Sequence, residues 1–85
     1  MYEIYGRDNC VWCERAKALL ADLNEPYEYH NIEENSNHLQ NFQTIFKNAR
    51  SVPQILYWKT EPSKFFIIGG YSNLAEWLRD KSWIY

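Results

Sequence analysis

Cysteine is nearly absent from this chain, which carries only Cys10 and Cys13. That scarcity excludes a scaffold stapled by several disulfides and leaves a zinc site short of thiolates. An excess of one charge is also missing. Nine basic and eleven acidic residues give a formal net charge of −2, so nothing provides the broad cationic surface that nucleic acid or anionic lipid requires. No apolar run approaches the ~20 residues that cross a bilayer. Glycine and proline, at three each, are too few for linkers or low-complexity tracts, and no repeat is present. The chain opens on a strand-like pattern rather than a basic and then apolar leader. The expectation is a soluble protein of a reducing compartment, the cytoplasm.

What is present is enough for one small domain over residues 1–85. Apolar residues make up 46% of the chain and aromatics 18%, so a core is available despite the size. Cys10-Val11-Trp12-Cys13 follows a short β-favouring run and precedes a helical pattern. A Cys-x-x-Cys pair so placed reads as a redox couple, in which one thiolate attacks and the other closes an intramolecular disulfide. Zinc is the competing reading, and His30 and His38 would have to complete the ligand set. They stand seven residues apart rather than at the usual His-x₃₋₅-His spacing. A purely stabilising disulfide is a weak alternative, because so short a loop removes little unfolded-state entropy. No metal is expected.

Tyr2 to Tyr5 reads as a first strand and Gly6 to Asn9 as a loop with turn and capping residues. From about Val11 to Leu23 a helix is expected, with Ala16, Leu19, Leu20 and Leu23 on one face and Pro26 ending it. Tyr27 to Ile32 is a second strand, and Glu33-Glu34 belongs to a solvated loop. Asn37 with Gln40 fits a capping-box start, and Leu39, Phe42, Phe46 and Ala49 mark the buried face of a second helix. Gln54 to Trp58 and Lys64 to Ile68, joined by a turn over Lys59 to Ser63, form an antiparallel hairpin. Gly69-Gly70 breaks the last strand; Ser72 or Asn73 caps a final helix that turns Leu74, Trp77 and Leu78 inward. An apolar tail, Trp83-Ile84-Tyr85, is expected to pack back on the domain. The order β-α-β-α-β-β-α implies a parallel pair with a right-handed crossover, then a hairpin. The fold class is α/β, a four-stranded mixed sheet flanked by helices.

The chemistry follows from placement. Cys10 precedes the first helix, whose unpaired N–H groups and dipole favour a thiolate, and Arg7 lies three residues upstream. Cys13 lies one turn inside the helix, close enough to attack a mixed disulfide on Cys10. Cys10 is therefore the expected nucleophile and Cys13 the resolving thiol. Four tryptophans and seven tyrosines would suit base stacking, but they fall mostly on core positions and basic residues do not cluster with them.

Three separated motifs, Cys10-Val11-Trp12-Cys13, Ser51-Val52-Pro53-Gln54 and Gly69-Gly70-Tyr71-Ser72-Asn73, together resemble those of glutaredoxins in the thioredoxin-like superfamily. The likeness runs over essentially the whole chain, and the length is similar to small dithiol glutaredoxins of bacteria and bacteriophages. The resemblance implies a cis peptide bond at Pro53 and a Val52 backbone that pairs with the cysteinyl part of glutathione. It implies that Ser72 and Asn73 receive the γ-glutamyl carboxylate at a helix N-terminus, with Gly70 and Tyr71 lining the glutathione site. It places Arg7, with Gln54 as a lesser candidate, near the glycine carboxylate. Trp12 and Ser51 complete the expected glutathione contacts.

By the same resemblance the activity is glutathione-dependent thiol–disulfide exchange, with glutathione as co-substrate and disulfide-containing proteins as clients. Ribonucleotide reductase is among those clients, and the protein is expected to act as a monomer, in the host cytoplasm if the source is a virus. Two departures bear on this. Val11-Trp12 stands where Pro-Tyr is common, and Asn73 stands where an aspartate often pairs with the γ-glutamyl amine. They leave open two alternatives: electrons drawn from thioredoxin reductase, or a non-catalytic carrier of a [2Fe–2S] cluster shared with glutathione.

Overall fold

The β-favouring residues Tyr2–Gly6 form β1, and the elements that follow are α1 (Val11–Asp22), β2 (Tyr27–Asn31), α2 (Ser36–Ile45), β3 (Gln54–Lys59), β4 (Lys64–Gly69) and α3 (Tyr71–Arg79). The computed structural model describes residues 1–60 and 63–79. Glu61 and Pro62 of the expected turn, and the Trp83-Ile84-Tyr85 tail, lie outside them. The strand order is β2-β1-β3-β4. β1 runs parallel to β2, pairing Tyr2 with Tyr27 and Gly6 with Asn31, while β3 is antiparallel to both β1 and β4. The expected mixed sheet is present.

Alternation along β1 sends successive side chains to opposite faces. Tyr2 and Ile4 join Ala16 and Leu20 of α1, Leu74 of α3 and Ile55 of β3 in one buried cluster. Trp77 and Leu78 pack against it, and the Trp77 indole donates to the Tyr2 hydroxyl at 3.0 Å. On the other face Tyr5 and Leu56 meet Phe42 and Phe46. Each fully buried side chain of this size contributes about 1.5–3 kcal/mol.

Helix boundaries depart from expectation in instructive ways. Asn35, not Asn37, caps α2, its Oδ1 accepting from the Asn37 N–H at 2.8 Å. α2 then stops at Ile45, so Phe46 and Ala49 reach the core from the turn beyond it, and Leu39 is exposed. Leu23 is exposed as well, because it sits at the C-cap of α1, past the last turn that faces the sheet. α3 begins at Tyr71, ahead of both residues expected to cap it. Asn73 works backwards instead: from the third helical position its Oδ1 accepts the Gly70 N–H at 3.1 Å. Gly69, at φ +115°, makes the turn into this helix.

α1 lies almost on top of the end of β1. A Cβ at Gly6 would stand 2.8 Å from the Cys13 Sγ and would also strike the Tyr29 hydroxyl. That hydroxyl donates to the Arg7 carbonyl at 3.1 Å, tying β2 to the loop before α1. The loop is further stitched by Asn31, whose Nδ2 donates to Asp8 at 2.9 Å. Gly6→Ala should therefore cost about 1–3 kcal/mol, read as a lowered urea midpoint of the oxidised protein. An unchanged midpoint would mean the α1–β1 approach is looser than described.

Burial raises the pKa of Tyr29, with the Lys17 ammonium opposing and Glu14 adding to the rise. The folded state thus holds this proton more tightly than the unfolded chain does. Its stabilising contribution is whole below the ordinary tyrosine value of 10.0 and is lost as pH rises through the higher folded value. Tyr5 and Lys17 are raised too and act in the same direction. Urea unfolding of the oxidised protein from about pH 8 to about pH 11 should show falling stability, less steeply in Tyr29→Phe. Equal slopes for the two proteins would contradict this.

Candidate active site

Cys10 is the N-cap of α1, held in extended backbone geometry by the loop that leaves β1. Its Sγ accepts from the Cys13 N–H at 3.1 Å, so the helix N-terminus is aimed at this sulfur. The two cysteines are joined as a disulfide, with Cα atoms 5.2 Å apart. They are unequal. Cys13 is completely buried against Gly6, whereas Cys10 is partly exposed. An incoming group can reach Cys10 and cannot reach Cys13.

The Val52–Pro53 peptide bond is cis, and the Val52 carbonyl oxygen lies 3.9 Å from the Cys10 Sγ. Beside it opens a groove of about 320 Å³, lined by Trp12, Ser51, Val52, Pro53, Gly70, Tyr71 and Ser72. Three distant stretches of chain converge here: the head of α1, the turn into β3 and the head of α3. Two aromatic rings close one rim, Trp12 and Tyr71, with centroids 5.3 Å apart. The Arg15 guanidinium also packs over the Trp12 ring, 4.6 Å from its centroid. Gln54 turns away, its Nε2 donating to the Ser51 carbonyl at 3.1 Å.

The structure does not bring every expected residue to that groove. Asn73 is absent from its lining because its side chain oxygen is committed to Gly70. Arg7 lies in a second depression, of about 510 Å³, with Asp8, Asn9, Cys10, Val11, Glu14, Lys17 and Tyr29. The reason is the end of β1: after Gly6 the loop leans toward β2, where Tyr29 and Asn31 hold it. Cys10 therefore stands between two concavities, lining the second directly and meeting the first at Val52. Within the second, Lys17 pairs with Glu14 at 2.7 Å and lies 4.1 Å from the Tyr29 ring centroid.

The residues sequence reasoning missed are those of this second depression, above all Tyr29 and Lys17. Lys17 one helical turn beyond Cys13 was a faint signal; Tyr29 carried none, since only the parallel register of β2 brings it here. Arg15, three residues from Trp12, was legible as a helical neighbour. The four-ligand zinc arrangement is not formed. His30 and His38 pack with their rings tilted, centroids 4.7 Å apart, and His30 lies against Tyr5 on the α2 side, while Cys13 is buried on the inner face of α1 across the sheet.

The family model for glutaredoxin matches residues 2–58. No curated protein sequence matches the chain. Among solved structures, a buckwheat glutaredoxin–glutathione complex superposes with a TM-score of 0.68 at 22% identity, covering 98% of this chain and 72% of that one. A glutaredoxin from Brucella melitensis gives 0.68 at 25% identity, covering 98% and 82%. The glutaredoxin-like NrdH-redoxin of Escherichia coli gives 0.64 at 17% identity, covering 85% and 84%. Among the described residues no helix is long and apolar enough to cross a membrane. A family match over most of the chain, on a thioredoxin-like sheet with a redox-active cysteine pair at the head of its first helix, means that this protein belongs to the glutaredoxins and is a thiol–disulfide oxidoreductase.

Proposed function

We propose that residues 1–85 form a single glutaredoxin domain that uses glutathione as its reductant. The observation that carries this is the groove beside Cys10, lined by Trp12, Ser51, Val52, Pro53, Gly70, Tyr71 and Ser72. It has the parts a short anionic thiol peptide needs. The Val52 carbonyl lies next to the reactive sulfur, and a helix N-terminus at Tyr71 and Ser72 suits a carboxylate. That buckwheat glutaredoxin forms a complex with glutathione supports the same reading here. Arg7 contributes positive potential from the other side of Cys10.

In the reduced enzyme the Cys10 thiolate attacks a substrate disulfide, forming a mixed disulfide and releasing the other half as a thiolate. The Cys13 thiolate then attacks the Cys10 sulfur, closing the Cys10–Cys13 disulfide and releasing the second thiol. One glutathione thiolate opens that disulfide at Cys10; a second attacks the glutathione sulfur, leaving oxidised glutathione and the Cys10 thiolate. The helix N-terminus at Cys10 favours each step in which negative charge returns to that sulfur. Disulfide-containing proteins are the clients, ribonucleotide reductase among them, met by a monomer in the cytoplasm.

A second reading changes only the electron source. The NrdH-redoxin of Escherichia coli, which shares this fold, has a thioredoxin-like activity profile, and Asn73 is turned onto Gly70 rather than into the groove. One assay pair separates the two. Reduction of a small glutathione mixed disulfide should proceed with glutathione and glutathione reductase, and Cys13→Ser should retain it while losing reduction of protein disulfides. Cys10→Ser should abolish both. Turnover with thioredoxin reductase alone would overturn the glutathione assignment, and an active Cys10→Ser would overturn the roles of the two thiols.

A further inference from the structure

On the sheet face opposite α1 and its disulfide, we infer that Glu3, Glu28 and His30 form a binding site for a divalent transition-metal ion, Zn²⁺ being the ion of choice for testing it. Glu3 of β1 and Glu28 of β2 are direct partners in the parallel register, and His30 follows Glu28 on the same face. The His30 Nε2 lies 2.8 Å from the Glu3 Oε1 and 3.7 Å from the Glu28 Oε2. One donor atom from each of the three residues falls within 4.8 Å of the others.

Charge makes the arrangement costly without a cation. Two carboxylates directly opposite each other on neighbouring strands repel, and a neutral imidazole leaves that repulsion in place. A divalent ion between them cancels both charges at once. The donor chemistry selects the class of ion: an imidazole nitrogen with carboxylate oxygens suits zinc and its first-row neighbours better than calcium or magnesium, which take oxygen alone. Three protein ligands leave a position for water.

The ligands are held unequally, as a site that loads from solvent requires. The His30 ring is fixed between Tyr5, at 4.8 Å, and His38, at 4.7 Å, with its Nε2 edge toward the carboxylates. The Glu3 and His30 side chains are only 18% and 16% exposed, whereas that of Glu28 is 60% exposed. Glu28 is the ligand free to swing onto an arriving ion. Phe42 and Phe46 cover Tyr5 and Leu56, the register partners of His30 and Glu3, so the side of the site open to an ion is that of Glu28.

The alternative is a plain ion pair between protonated His30 and Glu3, and calorimetry distinguishes them. Oxidised protein is titrated with Zn²⁺, the disulfide keeping both thiols out of the measurement. The expected result is saturable binding of one ion per chain, with His30 imidazole nitrogen resonances shifting in step. Glu28→Gln, at an exposed position that leaves the fold intact, and His30→Gln should each weaken binding by ~10-fold or more. The thermal midpoint of the wild type should rise with Zn²⁺, and that of Glu28→Gln should not. No saturable binding, or binding that survives both substitutions, overturns the site.

Discussion

The close approach of α1 to the end of β1 is the constraint on which the rest of the site depends. Gly6 has no side chain where Cys13 and Tyr29 come together, and any Cβ would push α1 outward. Because α1 stays down, its N-terminus points at Cys10 and Cys13 is sealed inside. The division of labour between two chemically identical thiols is therefore a packing result. One sulfur caps a helix at the surface and the other fills a space beneath it.

Position relative to the sheet does the rest. β1 is flanked by β2 on one side and β3 on the other, so the loop leaving its end has neighbours on both sides. Toward β3 lies Val52 and the apolar groove that continues to α3; toward β2 lies the charged depression with Arg7, Lys17 and Tyr29. A disulfide substrate has two halves, and Cys10 stands where two differently built surfaces meet. The groove is mostly backbone and aromatic rings, suited to a small extended ligand. The depression mixes both charges, and its Lys17–Glu14 pair keeps the acidic residue in the first turn of α1 from acting unopposed near the sulfur.

The far face of the sheet carries a different chemistry at little cost to the first. Alternation along β1 and β2 sends Glu3, Glu28 and His30 away from α1, with Glu28 the exposed member of the three. The same alternation that builds two cores thus separates the thiols from the imidazole and carboxylates. Thiol chemistry and metal chemistry do not compete within one chain when a sheet stands between them.

Element order, the redox pair and the three motifs could be read directly from the residues, because each is a local pattern: apolar spacing, a Cys-x-x-Cys before a helix, a di-glycine before another. Cap positions were less legible. Asn35, Ser36 and Asn37 offer three polar candidates in a row, and the one that caps α2 is Asn35, whose side chain accepts from the Asn37 N–H. Asn73 had the composition of a cap but acts from inside the helix. Tyr29 and the placement of Arg7 were illegible, since both follow from the β1–β2 register and the lean of a four-residue loop. The chemistry the protein carries is written in residue types at short spacing. What surrounds that chemistry is set by the fold, because the walls of both concavities come from segments far apart in the chain and brought together by the sheet.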